Sequence, residues 1–253
     1  MDLWQFLVFG LIGFAGGMLS GLVGVGGGVV FVPALVYAAG WSIKEATAAS
    51  LATFVFGALS GTLRSLRGEN PVNWKAAALF SFAVAPSALV GVVINRFSPE
   101  AFVQLAFAAF LVVLAYPMAR ARPQTAEGSR KIRPALVLLA GVGIGIMAGL
   151  VGIGGTVLMT PLMVLGLGLG LKTAMATSLA TAIFTGIVGS AGYVVAGFDR
   201  FSSLPPLIVG AVLGAWLGTS SRDRIPETVL QRGFALFMVV VAIRLVVDVV
   251  DGS

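Results

Sequence analysis

The stretch GLVGVGGGVVFVP, residues 21–33, places five glycines inside an apolar run that otherwise has the composition of a membrane helix. The stretch GLVGIGGTVLMTP, residues 149–161, repeats this pattern in the second half of the chain. Glycine clusters occur in phosphate-binding loops, in tight turns and where helices pack closely. Each of these interpretations implies a different protein, and the rest of the sequence has to decide between them.

The overall composition is that of an α-helical membrane protein. Mean hydropathy is +1.03, 58% of the 253 residues are hydrophobic and 10% are charged, whereas soluble proteins carry about 25% charged residues. The apolar runs are long enough to cross a hydrocarbon core of ~30 Å as helices that rise about 1.5 Å per residue. The sequence therefore predicts an all-α integral membrane protein.

Several functional classes are disfavoured by the residues that the chain lacks. It contains no Cys and no His, which removes thiol chemistry and the usual zinc and haem ligands. We find no nucleophile–base pair, so we expect no enzyme activity, no cofactor and no metal. The isoelectric point near 10.3 fits basic anchoring loops, because most Lys and Arg lie in short loops between apolar runs. We therefore expect a lipid bilayer as partner and no nucleic acid.

The chain contains an internal duplication. Residues 13–62 align without gaps with residues 141–190, and the two stretches share a proline, a lysine and a Ser-Leu-Ala-Thr block in the same register. Compositional bias alone would not produce these matches. The shared positions include Gly13/Gly141, Gly17/Gly145, Gly21/Gly149, Pro33/Pro161, Lys44/Lys172, Ser50/Ser178, Thr53/Thr181 and Gly61/Gly189.

Each half is predicted to hold about five helical segments, which gives eight to ten membrane segments in all. They cover residues 3–22, 29–41, 43–63, 75–95 and 99–118, then 134–150, 157–169, 171–196, 203–220 and 226–247. A polar, basic linker, 119–133, separates the first transmembrane repeat, 1–118, from the second, 134–253. The second segment of each half spans only about 20 Å as a helix. We interpret the first and second segments as one unit, broken at the glycine loop near the middle of the membrane.

Loop charges predict that the two halves are inverted relative to each other. The basic loop lies between the third and fourth segments in the first half, and between the fourth and fifth in the second. With an odd number of crossings per half, most of the 16 Lys and Arg fall on the side of the linker. The exceptions are Lys44, Arg96, Arg200 and Arg244. The positive-inside rule then places the linker in the cytoplasm and both termini outside.

Three interpretations of the glycine clusters compete. A nucleotide-binding loop would need a Gly-Lys-Ser/Thr sequence or a soluble βαβ unit, and the sequence has neither. The glycines at four-residue spacing, 13, 17 and 21 and again 141, 145 and 149, are typical of close helix packing. For the glycines that follow, we favour a broken helix that lines a solute site, because inverted-repeat transporters bind solutes at such breaks. These residues are Gly26, Gly27, Gly28, Gly154, Gly155 and Thr156.

Each break precedes the start of a short helix, whose free amides and positive dipole end favour an anion. In the third segments, Ser50 and Thr53 lie on one helix face, as do Ser178 and Thr181. These hydroxyls either line the site or bond to carbonyls of their own helices. Lys44 and Lys172 each begin a third segment, as a snorkelling lysine or a solute contact.

No Asp, Glu or His lies between the ends of the predicted segments, whereas proton-coupled transporters usually have a titratable group midway through the membrane. Transport is then either uncoupled or linked to a cation held by carbonyls and hydroxyls. An anion that leaves a cell with a negative interior already gains about 2.3 kcal/mol per charge per 100 mV.

The paired motifs resemble those of the TauE/SafE family of bacterial and archaeal sulfite exporters. The resemblance rests on GGMLSGLVGVGGGVVFVPAL followed by KEATAASLAT, and on GIMAGLVGIGGTVLMTPLM followed by KTAMATSLAT, and it covers essentially the whole chain. It implies a multi-pass permease of the inner membrane that moves sulfite, a sulfonate or a related small organic anion. One departure is Thr156 in the place of Gly28, which makes the predicted site asymmetric.

We therefore expect a permease that exports a small sulfur-containing anion by alternating access. An anion channel and a transporter of small organic carboxylates stay open as alternatives. The sequence leaves an oligomer open without indicating one.

Overall fold

The computed structural model describes residues 3–24, 27–68, 71–99, 134–151 and 155–250, and scattered helical residues between 101 and 116. The described part contains nine α-helices and no β-strand, so the predicted all-α class is confirmed. The predicted linker, 119–133, lies outside it. The helices are α1 (Leu3–Val23), α2 (Gly28–Ala39), α3 (Ile43–Ser65), α4 (Trp74–Phe97), α5 (Pro134–Val151), α6 (Thr156–Leu167), α7 (Leu171–Val195), α8 (Leu204–Arg222) and α9 (Glu227–Val250).

Among the described residues, five helices are long and apolar enough to cross a membrane: α1, α3 from Glu45 onward, α4, α7 and α8. α2 and α6 are short, with 12 residues each, as the sequence predicts. Both end at a glycine with positive φ, +66° at Gly40 and +68° at Gly168. A left-handed residue at this place lets the chain leave the helix, and glycine adopts it at little cost.

The start of α3 shows why this apolar helix begins where it does. The Ser42 hydroxyl accepts a hydrogen bond from the Glu45 amide, and the Glu45 carboxylate accepts one from the Ser42 amide. This capping box satisfies two backbone groups that would otherwise lack partners.

α1 packs along α8 through glycines that face each other's backbone. A Cβ on Gly17 would collide with the backbone of Ala211, and one on Gly13 or Gly21 would meet Leu207 or Ala215 in the same way. Residue numbers rise together on both helices, so α1 and α8 run parallel. The sequence prediction that Gly13, Gly17 and Gly21 pack closely against another helix is confirmed.

α4 and α5 repeat this arrangement. A Cβ on Gly141 would lie 2.9 Å from Cβ of Ala83, and the glycine at 149 faces the backbone of Ala88. These helices also run parallel. Both parallel pairs join a helix of the first half of the chain to one of the second half.

α3 and α7 cross the centre of the molecule in opposite directions. A Cβ on Gly61 would lie 3.1 Å from Leu179, and one on Gly189 would lie 3.1 Å from Leu51. The Glu45 carboxylate, at the start of α3, pairs with Arg200, which follows α7. We call this side of the molecule the Glu45 end.

The opposite side is called the Arg222 end. There the guanidinium of Arg222, the last residue of α8, donates a hydrogen bond of 2.9 Å from Nη2 to the hydroxyl of Ser65, the last residue of α3. Lys172, near the start of α7, donates from Nζ to the backbone oxygen of Asp223 at 3.0 Å.

The chain reverses direction between α1 and α2. The Phe31 ring of α2 packs against Gly16 of α1. Near the Glu45 end, the ring centroids of Phe9 and Trp41 lie 5.6 Å apart. The two helices therefore lie side by side, and α2 returns toward the end from which α1 starts.

Candidate functional site

The two glycine loops contain backbone that favours glycine. Gly24 has φ +69° and Gly155 has φ +75°, a conformation that costs other residues about 1–2 kcal/mol. Gly27 caps α2 with an ordinary φ of −59°, and its Cα faces the Phe31 ring. The predicted site residues Gly26 and Gly154 lie outside the described residues.

The first glycine loop contacts the second half of the chain. The Thr160 hydroxyl on α6 lies 3.5 Å from the Gly24 carbonyl oxygen and 3.0 Å from the Ser178 hydroxyl on α7. A Cβ on Gly24 would lie 2.7 Å from Cγ of Met175. The structure thus brings one glycine loop, the short helix of the other half and the predicted residue Ser178 together.

Thr160 was missed by the sequence reasoning. It is completely buried and links Gly24 to Ser178. A signal was available, because Thr160 aligns with the apolar Val32 in the first copy. A hydroxyl that replaces a valine inside a repeated membrane motif indicates a specific partner.

The predicted hydroxyls on α7 are already hydrogen-bonded within their helix. Ser178 donates to the carbonyl oxygen of Met175 at 2.9 Å, and Thr181 donates to that of Thr177 at 3.0 Å. This is the alternative that the sequence left open for these two residues. Their oxygens still have lone pairs that can accept hydrogen bonds.

Other hydroxyls are buried without a partner in the described part of the chain. Thr156, the first residue of α6, is 0% exposed, Thr53 on α3 is 1% exposed, and neither oxygen has a hydrogen-bond partner there. The same holds for Thr47, nearly two helical turns before Thr53. Ser50 and Gly28 are also buried. A buried hydroxyl without a partner costs about 1–3 kcal/mol, so the hydroxyls of Thr47, Thr53 and Thr156 suit a ligand that supplies the missing bond.

Of the two lysines predicted as possible solute contacts, the structure describes the side chain of Lys172 but not that of Lys44. Lys172 donates to the Asp223 carbonyl at the Arg222 end. Lys44 lies in the first turn of α3, and its side chain is outside the described residues. The structure therefore gives Lys172 a protein partner.

A cavity of about 200 Å³ lies at the Glu45 end, between α3, α4 and α7. Its lining includes Asn95 and Tyr193. Asn95 donates to the Leu150 carbonyl at 2.6 Å, and the Tyr193 hydroxyl donates to the Gly149 carbonyl at 3.0 Å. Both side chains satisfy carbonyls at the end of α5. They were not singled out from the sequence, although each is a polar residue in an apolar helix.

The most buried charge in the described part of the chain was also missed. The charge pattern places Arg222 in a basic loop between helices, whereas the structure makes it the last residue of α8, with 0% exposure. Among the described residues, its Nε and Nη1 atoms have no hydrogen-bond partner.

Within the described residues, no group of three or more His, Asp or Glu side chains is placed to hold a metal ion. The groups that the structure offers to a solute are hydroxyls, backbone amides at helix starts and a buried guanidinium. Each of these can donate a hydrogen bond to an anion.

Comparisons with known proteins identify a family and relatives. The family model described as "Sulfite exporter TauE/SafE" matches residues 9–245. A probable membrane transporter protein of Haemophilus influenzae is 29% identical, over 93% of this chain and 96% of that protein. The probable membrane transporter protein YunE of Bacillus subtilis is 24% identical, over 96% of this chain and 98% of that protein.

A more distant relative carries the family name. The sulfite exporter TauE/SafE family protein 5 of Arabidopsis thaliana is 27% identical, over 42% of this chain and 24% of that protein. No solved structure matches the chain at a significant level.

Proposed function

This chain belongs to the sulfite exporter TauE/SafE family, and we propose on this premise that it exports sulfite or a related organosulfonate by alternating access. Family membership makes it a membrane transporter and not an enzyme. The main support for an anion-binding site is the Thr156 hydroxyl at the start of α6, which is fully buried and has no hydrogen-bond partner among the described residues.

The proposed architecture is a pair of inverted repeats. The contacts Gly61–Leu179 and Gly189–Leu51 join positions that are equivalent in the duplication. A two-fold axis in the membrane plane would exchange one contact for the other. The parallel pairs α1–α8 and α4–α5 would be exchanged by the same axis. This symmetry is typical of secondary transporters, in which the solute binds between the repeats.

The proposed binding site lies between the glycine loops of the two repeats. The amides at the starts of α2 and α6 have no partner inside their own helices, and the helix dipole favours negative charge there. Thr156 adds a hydroxyl from the second half and Thr53 adds one from the first. The contact between Gly24 and Thr160 supports a site that both halves build together.

We place the Arg222 end in the cytoplasm, because basic residues such as Arg64, Arg67, Lys172 and Arg224 lie there and cytoplasmic loops are enriched in Lys and Arg. Export then carries a negative charge away from a negative interior. The membrane potential supplies about 2.3 kcal/mol per charge per 100 mV, so no coupling ion is needed.

The function is tested with purified protein in proteoliposomes that contain sulfite. We expect sulfite efflux that saturates with concentration, as a carrier requires. Efflux that rises linearly with concentration would indicate a channel. Absence of sulfite, thiosulfate and sulfoacetate transport, with transport of acetate instead, would contradict the proposed substrate class.

The site is tested with Thr156→Val and Thr53→Val, which remove a hydroxyl while conserving shape. Loss of one hydrogen bond to a charged solute should weaken sulfite binding about tenfold or more. Thr185→Val is the matched control, because the Thr185 hydroxyl is buried but donates to the Thr181 carbonyl. Equal sulfite affinity in all three variants would remove these hydroxyls from the site.

A further inference from the structure

Arg222 carries a buried positive charge that the protein itself does not neutralise through hydrogen bonds. Its side chain is 0% exposed, so it does not snorkel to water as a membrane-end arginine usually does. Nη2 donates to the Ser65 hydroxyl at 2.9 Å. Nε, with one N–H, and Nη1, with two, have no acceptor in the described chain. Burying such donors without acceptors is costly.

The adjacent carboxylate does not fill this role. Asp223 Oδ1 lies 4.0 Å from Arg222 Nε, which is too long for a hydrogen bond. The other oxygen of Asp223 lies 3.9 Å from Arg64 Nη1, and Lys172 approaches the backbone of Asp223. Two guanidinium groups, those of Arg222 and Arg64, therefore lie within 4.0 Å of one carboxylate, whose Oδ1 has no hydrogen-bond partner in the described chain. With Lys172 beside the same residue, the region keeps an excess of positive charge.

More unsatisfied donors lie at the same junction of α1, α3 and α8. The Thr219 hydroxyl, one turn before Arg222, is 0% exposed and has no partner in the described part of the chain. A Cβ added to Gly21 would lie 2.9 Å from the Thr219 hydroxyl oxygen, and a Cβ added to Gly61 would lie 3.1 Å from it. Thr219 is thus enclosed between α1 and α3, and its unused donor is a second observation that points to a ligand here.

The described residues at the Glu45 end include no fully buried charge of this kind. Gly21 faces Thr219 on α8, and the equivalent Gly149 faces Val92 on α4. If Thr219 on α8 is matched with Val92 on α4, Arg222 is matched with Asn95, three residues further along. Ser65 is matched with Tyr193 by the 128-residue offset of the duplication. Asn95 and Tyr193 are neutral, and both donate to carbonyls of α5. Only the Arg222 end therefore combines a buried cation with unused donors in the described structure.

We propose that Arg222 and Thr219 form an oxyanion-binding site at the Arg222 end, separate from the hydroxyls of Thr53 and Thr156. Ser65 positions the guanidinium, and the anion accepts hydrogen bonds from Nε, Nη1 and the Thr219 hydroxyl. The inference rests on the proposed function, because it takes the ligand to be the transported anion as it enters from the cytoplasm. A cationic site on one side only loads the transporter preferentially from that side.

The test compares Arg222→Gln with Arg224→Gln, which removes an exposed arginine two residues further along. Sulfite affinity is measured on purified protein by calorimetry. Charge-assisted hydrogen bonds predict that Arg222→Gln raises the Kd about 10- to 100-fold. The control should change the Kd less than about threefold, since exposed charges are screened. A folded Arg222→Gln protein with unchanged Kd overturns the proposal.

A second variant serves if Arg222→Gln does not fold. Asp223→Asn removes the carboxylate that competes with an anion for Arg222, and we expect it to bind sulfite about two- to tenfold more tightly. If Arg222 only anchors Asp223, this variant loses thermal stability and its sulfite affinity does not rise. That result also overturns the proposal.

The two proposals fail in different ways. If the wild type and Arg222→Gln bind and transport sulfite equally, the proposed function stands and the Arg222 site is wrong. If the wild type ignores sulfite but binds acetate in an Arg222-dependent manner, the site stands and the substrate class is wrong. If the wild type binds neither anion, both proposals are wrong.

Discussion

At the scale of single residues, the two glycine loops differ in conformation where the sequence makes them equivalent. Gly27 and Gly155 align in the duplication, yet their φ angles are −59° and +75°. The residue that follows is Gly28 in one loop and Thr156 in the other. The second loop thus presents a hydroxyl from a left-handed turn, and the first does not. Such asymmetry lets the two halves contribute different groups to one solute.

Gly155→Ala tests the strained turn before α6. The positive φ predicts a loss of about 1–2 kcal/mol in unfolding free energy, measured as a lower thermal midpoint in detergent. Gly143→Ala is the control, because a Cβ there meets nothing within 4 Å and alanine favours the helix by up to about 1 kcal/mol. Equal midpoints for both variants would contradict this account.

At the scale of helices, glycine spacing predicts close packing but not the partner. The spacing of Gly13, Gly17 and Gly21 would be the same whichever helix packs against them, so it does not identify the partner. The structure pairs it with Ala211 on α8, far along the chain. α8 has its own glycines at 210, 214 and 218, which face α1 in return. The glycines of α8 have the same four-residue spacing as those of α1, but the sequence alone does not show that the two sets face each other.

Gly17→Ala should destabilise the α1–α8 pair by about 1–3 kcal/mol, because the added methyl collides with the backbone of Ala211 and cannot be relieved by a rotamer change. Thermal unfolding in detergent and the yield of folded protein both report on this. Gly10→Ala is the matched control on the same helix, where the nearest atom is the Pro206 oxygen at 4.0 Å. A Gly17→Ala protein as stable as Gly10→Ala would rule out tight packing at this position.

The capping box of α3 makes a further prediction. Ser42→Ala removes the hydroxyl that accepts from the Glu45 amide, and loss of such a cap costs about 1 kcal/mol. Ser203 precedes α8 without a side-chain cap bond, so Ser203→Ala should leave the thermal midpoint unchanged. The prediction fails if the two alanine variants have the same midpoint.

At the scale of the whole molecule, the two ends have different electrostatic character. The Glu45 end pairs Glu45 with Arg200 and holds the neutral Asn95 and Tyr193, whereas the Arg222 end keeps surplus positive charge. The side of the membrane that each end faces is still a prediction from loop charges.

Cysteine labelling tests this orientation without background, because the chain has no native Cys. Asp199→Cys and Ser202→Cys, both exposed near the Glu45 end, should react with a membrane-impermeant maleimide added to intact cells. Arg224→Cys at the Arg222 end should react only after permeabilisation. Labelling of all three in intact cells, or of Arg224→Cys alone, would contradict the proposed orientation.

Sequence and structure agree most where a property depends on local composition. Hydropathy identifies the membrane class and predicts the third segment from residue 43, close to the observed start of α3 at Ile43, because both depend on composition along one stretch of chain. The burial of Arg222 depends on contact between α3 and α8, which no local pattern encodes. The contact of Thr160 with Gly24 also joins the two halves of the chain, so the sequence offers only the indirect signal that Thr160 takes the place of Val32 in the repeat.

The pairing of α1 with α8 also constrains how the protein is made. The first helix emerges from the ribosome with its glycine face open, and the helix that covers it follows only after some 180 further residues. The membrane must therefore hold α1 without its partner until α8 has been synthesised. Each half lacks the helix that covers its own glycine face, so we expect separately encoded halves to assemble only when both are produced in the same cell.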